Sequence, residues 1–134
     1  CSLDRLLVEA MREKAQAMKV DWRVVLDADA TPATKNWANL MRLVRAARPL
    51  VQERLRALDR PVLLVEAGLL ARYQQMDLLE DLRDRAGSRD GTPAVWLLIP
   101  ADEQHDLPVL DGHAVPILTP GQRARIPGAW LRGG

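Results

Sequence analysis

The stretch RVVLDADAT, residues 23–31, is an apolar run that ends in two carboxylates, Asp27 and Asp29. Two later stretches have the same form, namely RPVLLVEAG at residues 60–68 and AVWLLIPAD at residues 94–102. Long segments whose apolar residues recur at helical spacing separate these three runs. Strands that alternate with helices are typical of a parallel sheet that is covered by helices. The order of these segments therefore predicts an α/β fold.

We predict a single domain over residues 1–134, built on a small, mostly parallel sheet of three to four strands with helices on both faces. This is a Rossmann-like three-layer arrangement. The central strands would cover residues 22–26, 62–65 and 94–99, and an edge strand would cover residues 114–118. Connections between parallel strands are right-handed, so the intervening helices would act as right-handed crossovers.

The segments outside the apolar runs predict helices. An N-terminal helix is indicated by a capping residue, Ser2, and by apolar residues three to four positions apart: Leu3, Leu7, Met11, Ala15 and Met18. A second helix follows the first apolar run. Pro49 lies within that second segment and predicts a kink or a break, because proline removes a backbone hydrogen bond.

Composition limits the classes of function. The chain has 19 basic and 18 acidic residues and a net charge of +1, so no overall field attracts nucleic acid or anionic lipid. Its one cysteine, Cys1, allows neither an internal disulfide nor a zinc site made of cysteines. We therefore expect a reducing, cytoplasmic location. No apolar run approaches the roughly 20 residues of a membrane helix, so we expect no membrane partner.

Four carboxylates follow the predicted strands: Asp27, Asp29, Glu66 and Asp102. The ends of parallel strands share one edge of the sheet, which is where ligands bind in open α/β folds. Carboxylates gathered there can hold a magnesium ion. One hypothesis is therefore a magnesium-dependent phosphoryl-transfer or nuclease-type enzyme. Without that site, the sequence predicts no cofactor.

The segment VVLDADAT resembles the D-x-D-x-T motif of haloacid-dehalogenase-type phosphotransferases. That resemblance implies a nucleophile at Asp27, an acid/base at Asp29 and a third motif position at Thr31. The rest of the sequence departs from the pattern, because VLLVEAG does not end in serine or threonine and no lysine follows Lys35. These departures argue against the phosphotransferase chemistry.

Three arginines recur at every third position of the second predicted helix: Arg42, Arg45 and Arg48. Such a stripe can bind the phosphates of DNA, RNA or a nucleotide. A second hypothesis is therefore a nucleic-acid-binding module. A solvated helix face is the structural alternative for the same pattern.

Several stretches taken together resemble a known family: VDWRVVLDADA, PVLLVEAGLLARYQQMDLLEDLRDRAG, AVWLLIP and LDGHAVPILTPGQRARIPGAWL. Their order and spacing resemble the C-terminal region of the serine/threonine kinase component of bacterial phage growth limitation (BREX-type) defence systems. The resemblance implies a C-terminal module or fragment of a longer phage-defence protein. Sequence signatures of a kinase (HRD, DFG and a glycine-rich loop) do not occur here.

That resemblance leads to the preferred hypothesis, a non-catalytic interaction or regulatory module of a multidomain phage-defence kinase. Its expected partners are other domains of the parent chain or other defence-system proteins, and nucleic acid is a further candidate. No catalytic residue carries over to this segment.

Overall fold

The computed structural model describes residues 1–101 and 104–132. The helices of this part are α1 (Leu3–Ala17), α2 (Trp22–Asp29), α3 (Lys35–Arg56), α4 (Gly68–Arg72), α5 (Asp77–Arg85) and α6 (Gly128–Arg132). The strands are β1 (Val62–Leu64), β2 (Val95–Leu97), β3 (Val109–Leu110) and β4 (His113–Ala114), and a 3-10 turn covers Pro120–Gln122. None of these helices combines the length and the apolar character that a membrane span requires.

The strands form two separate pairs. Strands β1 and β2 are parallel, with Leu63 opposite Trp96, and β3 pairs with β4 in antiparallel register. The N-terminus lies along the other edge of β1, where Ser2 forms an isolated parallel bridge with Val65. The peptide N–H of Leu3 donates to the Val65 carbonyl at 2.9 Å, which fixes the start of α1 beside β1.

The predicted Rossmann-like fold is wrong. The structure is 51% helical and has only short strands in two-stranded sheets, so a mostly parallel sheet of three to four strands is absent from its described residues. The first apolar run forms α2 instead of a strand. Its side chains show helical burial, because Val25 and Ala28 are buried whereas Val24 and Leu26 are exposed. A short apolar run does not by itself distinguish a buried strand from a helix.

A capping residue explains why a helix begins here. The Asp21 carboxylate accepts a hydrogen bond from the Arg23 backbone N–H at 2.8 Å, which satisfies one of the free donors at the start of α2. The predicted edge strand at residues 114–118 is also wrong, since β4 covers only His113–Ala114 and pairs with β3, not with the β1–β2 sheet. The predicted break at Pro49 is absent, because α3 continues from Lys35 to Arg56.

The core lies between the helices and the inner face of the β1–β2 sheet. Helix α1 presents the predicted apolar stripe to it except at Met18, which follows the helix and is 56% exposed. The Ser2 hydroxyl accepts from the Arg5 backbone N–H at 3.1 Å, as expected of a capping residue. Helix α3 is buried on both sides of Pro49, which explains how it continues through a proline. Its buried side chains are Leu40, Met41, Leu43, Val44, Ala47, Val51 and Leu55.

Candidate functional site

Two of the predicted metal ligands lie on helix α2 and not at a strand end. Residues two positions apart in a helix point about 200° away from each other, so Asp27 and Asp29 face different directions. Asp27 is exposed. Asp29 accepts hydrogen bonds from Arg72 Nε and from the Tyr73 hydroxyl, both at 2.9 Å. The Asp29 carboxylate is therefore already engaged by side chains of the chain itself.

The other two predicted ligands follow β1 and β2. Glu66 is exposed and adopts a left-handed backbone conformation (φ 52°), and its carbonyl accepts from the Asp4 N–H at 2.8 Å. Asp102 lies outside the described residues. Within residues 1–101 and 104–132, no three acidic, histidine or cysteine side chains are grouped to hold a metal ion. The magnesium site stays a prediction.

A different set of acidic residues meets where β1 ends. The Asp4 carboxylate accepts from the Leu69 N–H at 2.9 Å, and a Cβ at Gly68 would lie 3.1 Å from Asp111 Oδ2. Burial raises the pKa of Asp4, and the charges of Glu66 and Asp111 raise it further, whereas the backbone hydrogen bonds lower it. This arrangement fixes α4 against the start of α1. No sequence motif indicates it, because more than sixty positions separate Asp4 from Leu69.

Asp29 belongs to a cluster with two aromatic rings. The Arg72 guanidinium lies 5.4 Å from the centre of the Trp37 ring, and the Trp37 and Tyr73 rings are 6.0 Å apart. Burial, followed by the hydrogen bond and charge of Asp29, raises the pKa of Tyr73 to about 12. A neutral tyrosine that donates to a carboxylate is a stable contact at physiological pH. The cluster joins α2, α3 and α4.

The arginine stripe is divided by the structure. Arg42 and Arg45 are exposed on α3. Arg48 instead faces α5, where its guanidinium lies 2.7 Å from Asp77 and 2.8 Å from Asp81. Those carboxylates raise the pKa of Arg48 against the opposing effect of burial. Phosphate binding by the three arginines stays a prediction. Arg48 would have to bind phosphate while it also contacts two carboxylates.

The β1–β2 sheet is covered on one face only. On its inner face Leu64 is fully buried, whereas Leu63, Trp96 and Leu98 on the opposite face are 53%, 68% and 46% exposed. We call these three residues the outer sheet face. Parallel strands are normally buried on both faces, which is why their sequences are apolar almost throughout. The runs VLLV and VWLLI carry that signal, although the described residues leave the outer sheet face 46% to 68% exposed, with the segment 115–126 at its border.

A groove runs along the edge of β2 that faces away from β1. Its floor is β2 with the residues that follow it, and its opposite wall is the segment 115–126. The larger part of the groove has a volume of about 1040 Å³ and is lined mainly by Leu97, Ile99, Leu107, Val109 and Ile126, with Arg123 and Arg125 at the same wall. We call this feature the edge groove. The sequence does not indicate it, because the groove depends on residues 115–118, predicted as part of an edge strand, which form no strand.

Comparison with known proteins gives one relative. The chain is 32% identical over 140 aligned residues to "Probable kinase PglW" of Streptomyces coelicolor. The alignment covers 97% of this chain but only 9% of that protein, so the chain corresponds to a small region of it. No protein-family profile matches the chain, and no solved structure does.

The match bears on the resemblance inferred from sequence. The relative is a probable kinase of the BREX-type phage growth limitation system, and nearly all of this chain aligns with it. The predicted resemblance to the kinase component is therefore confirmed. We conclude that this chain is homologous to one region of the kinase component of phage growth limitation systems.

Proposed function

We propose that this chain is a non-catalytic interaction module of a phage-defence serine/threonine kinase and that it works in the cytoplasm. The observation that carries the proposal is the outer sheet face, where Leu63 and Trp96 lie opposite each other and both are more than half exposed. A large aromatic residue beside aliphatic ones on an open sheet face is typical of a surface that another protein covers.

The partner that we propose is another region of the kinase to which the chain corresponds. The aligned region makes up 9% of the relative's length, so a homologous kinase has ample further chain to cover one small sheet face. Other proteins of the same defence system are the alternative partners. In either case, phosphoryl transfer would be carried out elsewhere, since the kinase signatures do not occur in this sequence.

Contacts at Asp29 support a structural role for this residue, to which the D-x-D-x-T resemblance gives the acid/base role. Its carboxylate holds Arg72 and Tyr73, and its backbone carbonyl accepts from Arg72 as well, at 2.8 Å. A carboxylate with these partners links helices α2 and α4. Metal binding there would require those hydrogen bonds to be given up.

The test of this proposal compares substitutions at two leucines whose side chains are nearly equally exposed. Leu63 is 53% exposed on the outer sheet face, and Leu26 is 56% exposed on α2. The chain is immobilised, and binding of the kinase polypeptide from the same defence system is measured by surface plasmon resonance. We expect Leu63→Glu to weaken retention at least tenfold and Leu26→Glu to leave it unchanged. Equal retention of both variants, or no retention of the kinase polypeptide by the unmodified chain, would contradict the proposal.

A further inference from the structure

We propose that the edge groove binds an extended acidic peptide, which adds to the sheet as a strand beside β2. This inference rests on the proposed function and deepens it, because it gives the chemistry of a segment that the module recognises. Three independent observations support it: an edge of β2 that has no strand neighbour among the described residues, an apolar floor, and two arginines on the opposite wall.

The first observation concerns the backbone of β2. The Val62 N–H donates to the Ala94 carbonyl at 3.0 Å, and the Leu98 N–H donates to the Leu64 carbonyl at 2.9 Å. Ala94 and Leu98, two even-numbered residues that flank β2, therefore turn these peptide groups towards β1. Because the pattern alternates, Val95 and Leu97 turn theirs to the other edge, where β2 has no strand neighbour among the described residues.

Such an edge is a template for strand addition. The second observation is the floor beside it, since Leu97 and Ile99 pack against the core and continue as the lining of the groove. The groove's larger part, about 1040 Å³, is of the size that accommodates a short peptide. An incoming strand would place alternate side chains over this apolar lining.

The third observation gives the charge of the peptide. Arg123 and Arg125 line the groove, and Arg123 has an extended backbone (φ −128°, ψ 150°). Residues two apart in an extended segment lie on the same side, roughly 6.6 Å along the chain. Neither guanidinium has an ion pair with the described residues, and Asp106 is the carboxylate among the described lining residues. Acidic residues at alternate positions of a bound strand would match this spacing.

The experiment uses fluorescence anisotropy with a labelled peptide of about eight residues in which Val and Glu alternate, as the probe of an extended strand. The matched control peptide alternates Val and Lys. We expect the chain to bind the Val–Glu peptide at least tenfold more tightly than the Val–Lys peptide and to lose that preference in high salt. No binding of the Val–Glu peptide at millimolar concentration, or equal binding of both peptides, would overturn the proposal.

Variants separate the two contributions. Leu97→Pro removes an outward N–H that β1 does not use, and Arg123→Glu with Arg125→Glu reverses the charge of the wall. Each change should weaken the Val–Glu peptide at least tenfold, whereas Arg56→Glu, an exposed position on α3, should leave it unchanged. Unaltered binding by the double arginine variant would contradict the inference, even if Leu97→Pro fails to fold.

Two further outcomes have distinct meanings. If analytical ultracentrifugation shows a dimer that the double arginine variant abolishes, a second copy of the chain occupies the groove and the peptide inference is wrong. If the peptide does not bind while Leu63→Glu still abolishes retention of the kinase polypeptide, the proposed function stands and only this inference fails.

Discussion

The helical part and the β1–β2 sheet differ in how completely they are buried. Leu7 of α1 and Val44 of α3 are 2% and 0% exposed, so these two helices bury their apolar faces against each other. The sheet buries Leu64 but leaves Trp96 68% exposed on its other face. The helices therefore complete their own burial, whereas the sheet does so on one side only. We infer that the helices provide stability and the sheet provides recognition.

The largest expected effect separates the two regions directly. Leu7→Ala removes a side chain that is 2% exposed and should lower the free energy of unfolding by about 2–5 kcal/mol. Leu63→Ala, at a residue that is 53% exposed on the outer sheet face, should lower it by about 1 kcal/mol or less. Urea denaturation followed by circular dichroism measures both values. Equal losses would show that the sheet is as important to stability as the helices.

The ion pairs of Arg48 give the next largest effect within the helical part. Arg48→Met keeps the apolar stem but removes the cation that lies between Asp77 and Asp81. Because both carboxylates are partly exposed, we expect a loss of about 1–2 kcal/mol in low salt, and a smaller loss in 1 M salt. The control is Arg45→Met, an exposed position on the same helix, for which urea denaturation should show little change.

The contact between Asp29 and Tyr73 predicts a spectroscopic change. Tyr73 is the chain's one tyrosine, so ultraviolet absorbance reports its ionisation alone. Its pKa should be about 12 in the folded chain against an ordinary value of 10.0, and Asp29→Asn should lower it. Since folding raises this pKa, the contribution to stability is complete below pH 10.0 and is lost as the pH rises towards about 12. A folded-state midpoint near 10.0 would contradict the contact.

The smallest expected effect concerns Asp4, where the helices meet the sheet. Folding raises the pKa of Asp4 above 3.8, mainly through burial, which favours the protonated carboxyl group. The contribution of this group to stability is therefore lost as the pH rises through the raised pKa. Asp4→Asn keeps an acceptor for the Leu69 N–H and carries no charge. We expect stability at pH 7 to change by no more than about 0.5 kcal/mol, with a weaker dependence on acidic pH. Destabilisation at pH 7 well beyond that value, measured by thermal unfolding, would contradict this account.

Sequence alone predicts the parts of the fold that local patterns decide. The spacing of Leu3, Leu7 and Met11 gives α1, and the runs at 62–65 and 94–99 contain β1 and β2, which pair in parallel. The prediction of a strand at 22–26 is wrong, because the three consecutive apolar residues at 24–26 fit either structure and the Asp21 cap favours the helix.

The Asp29 cluster and the edge groove were less predictable from sequence, because both depend on contacts between residues that are far apart in the chain. Nothing near Asp29 in the sequence indicates Arg72 or Tyr73, which lie more than forty positions away. The edge groove is harder still, since it exists only because residues 114–118 do not pair with β2. The sequence does contain one local signal for the exposed sheet surface. The run VWLLI is apolar at every position, which is typical of a strand whose two faces are both buried.

Hydrogen–deuterium exchange tests the difference between the two regions most directly. Exchange is measured on the chain alone and on the chain mixed with the kinase polypeptide of the same defence system. Our account predicts slower exchange in β1 and β2 on mixing, above all at the outward Leu97 amide, with no change in α1 and α3. Protection that is confined to the helices, or the absence of any change in the sheet, would contradict the assignment of the sheet as the surface for recognition.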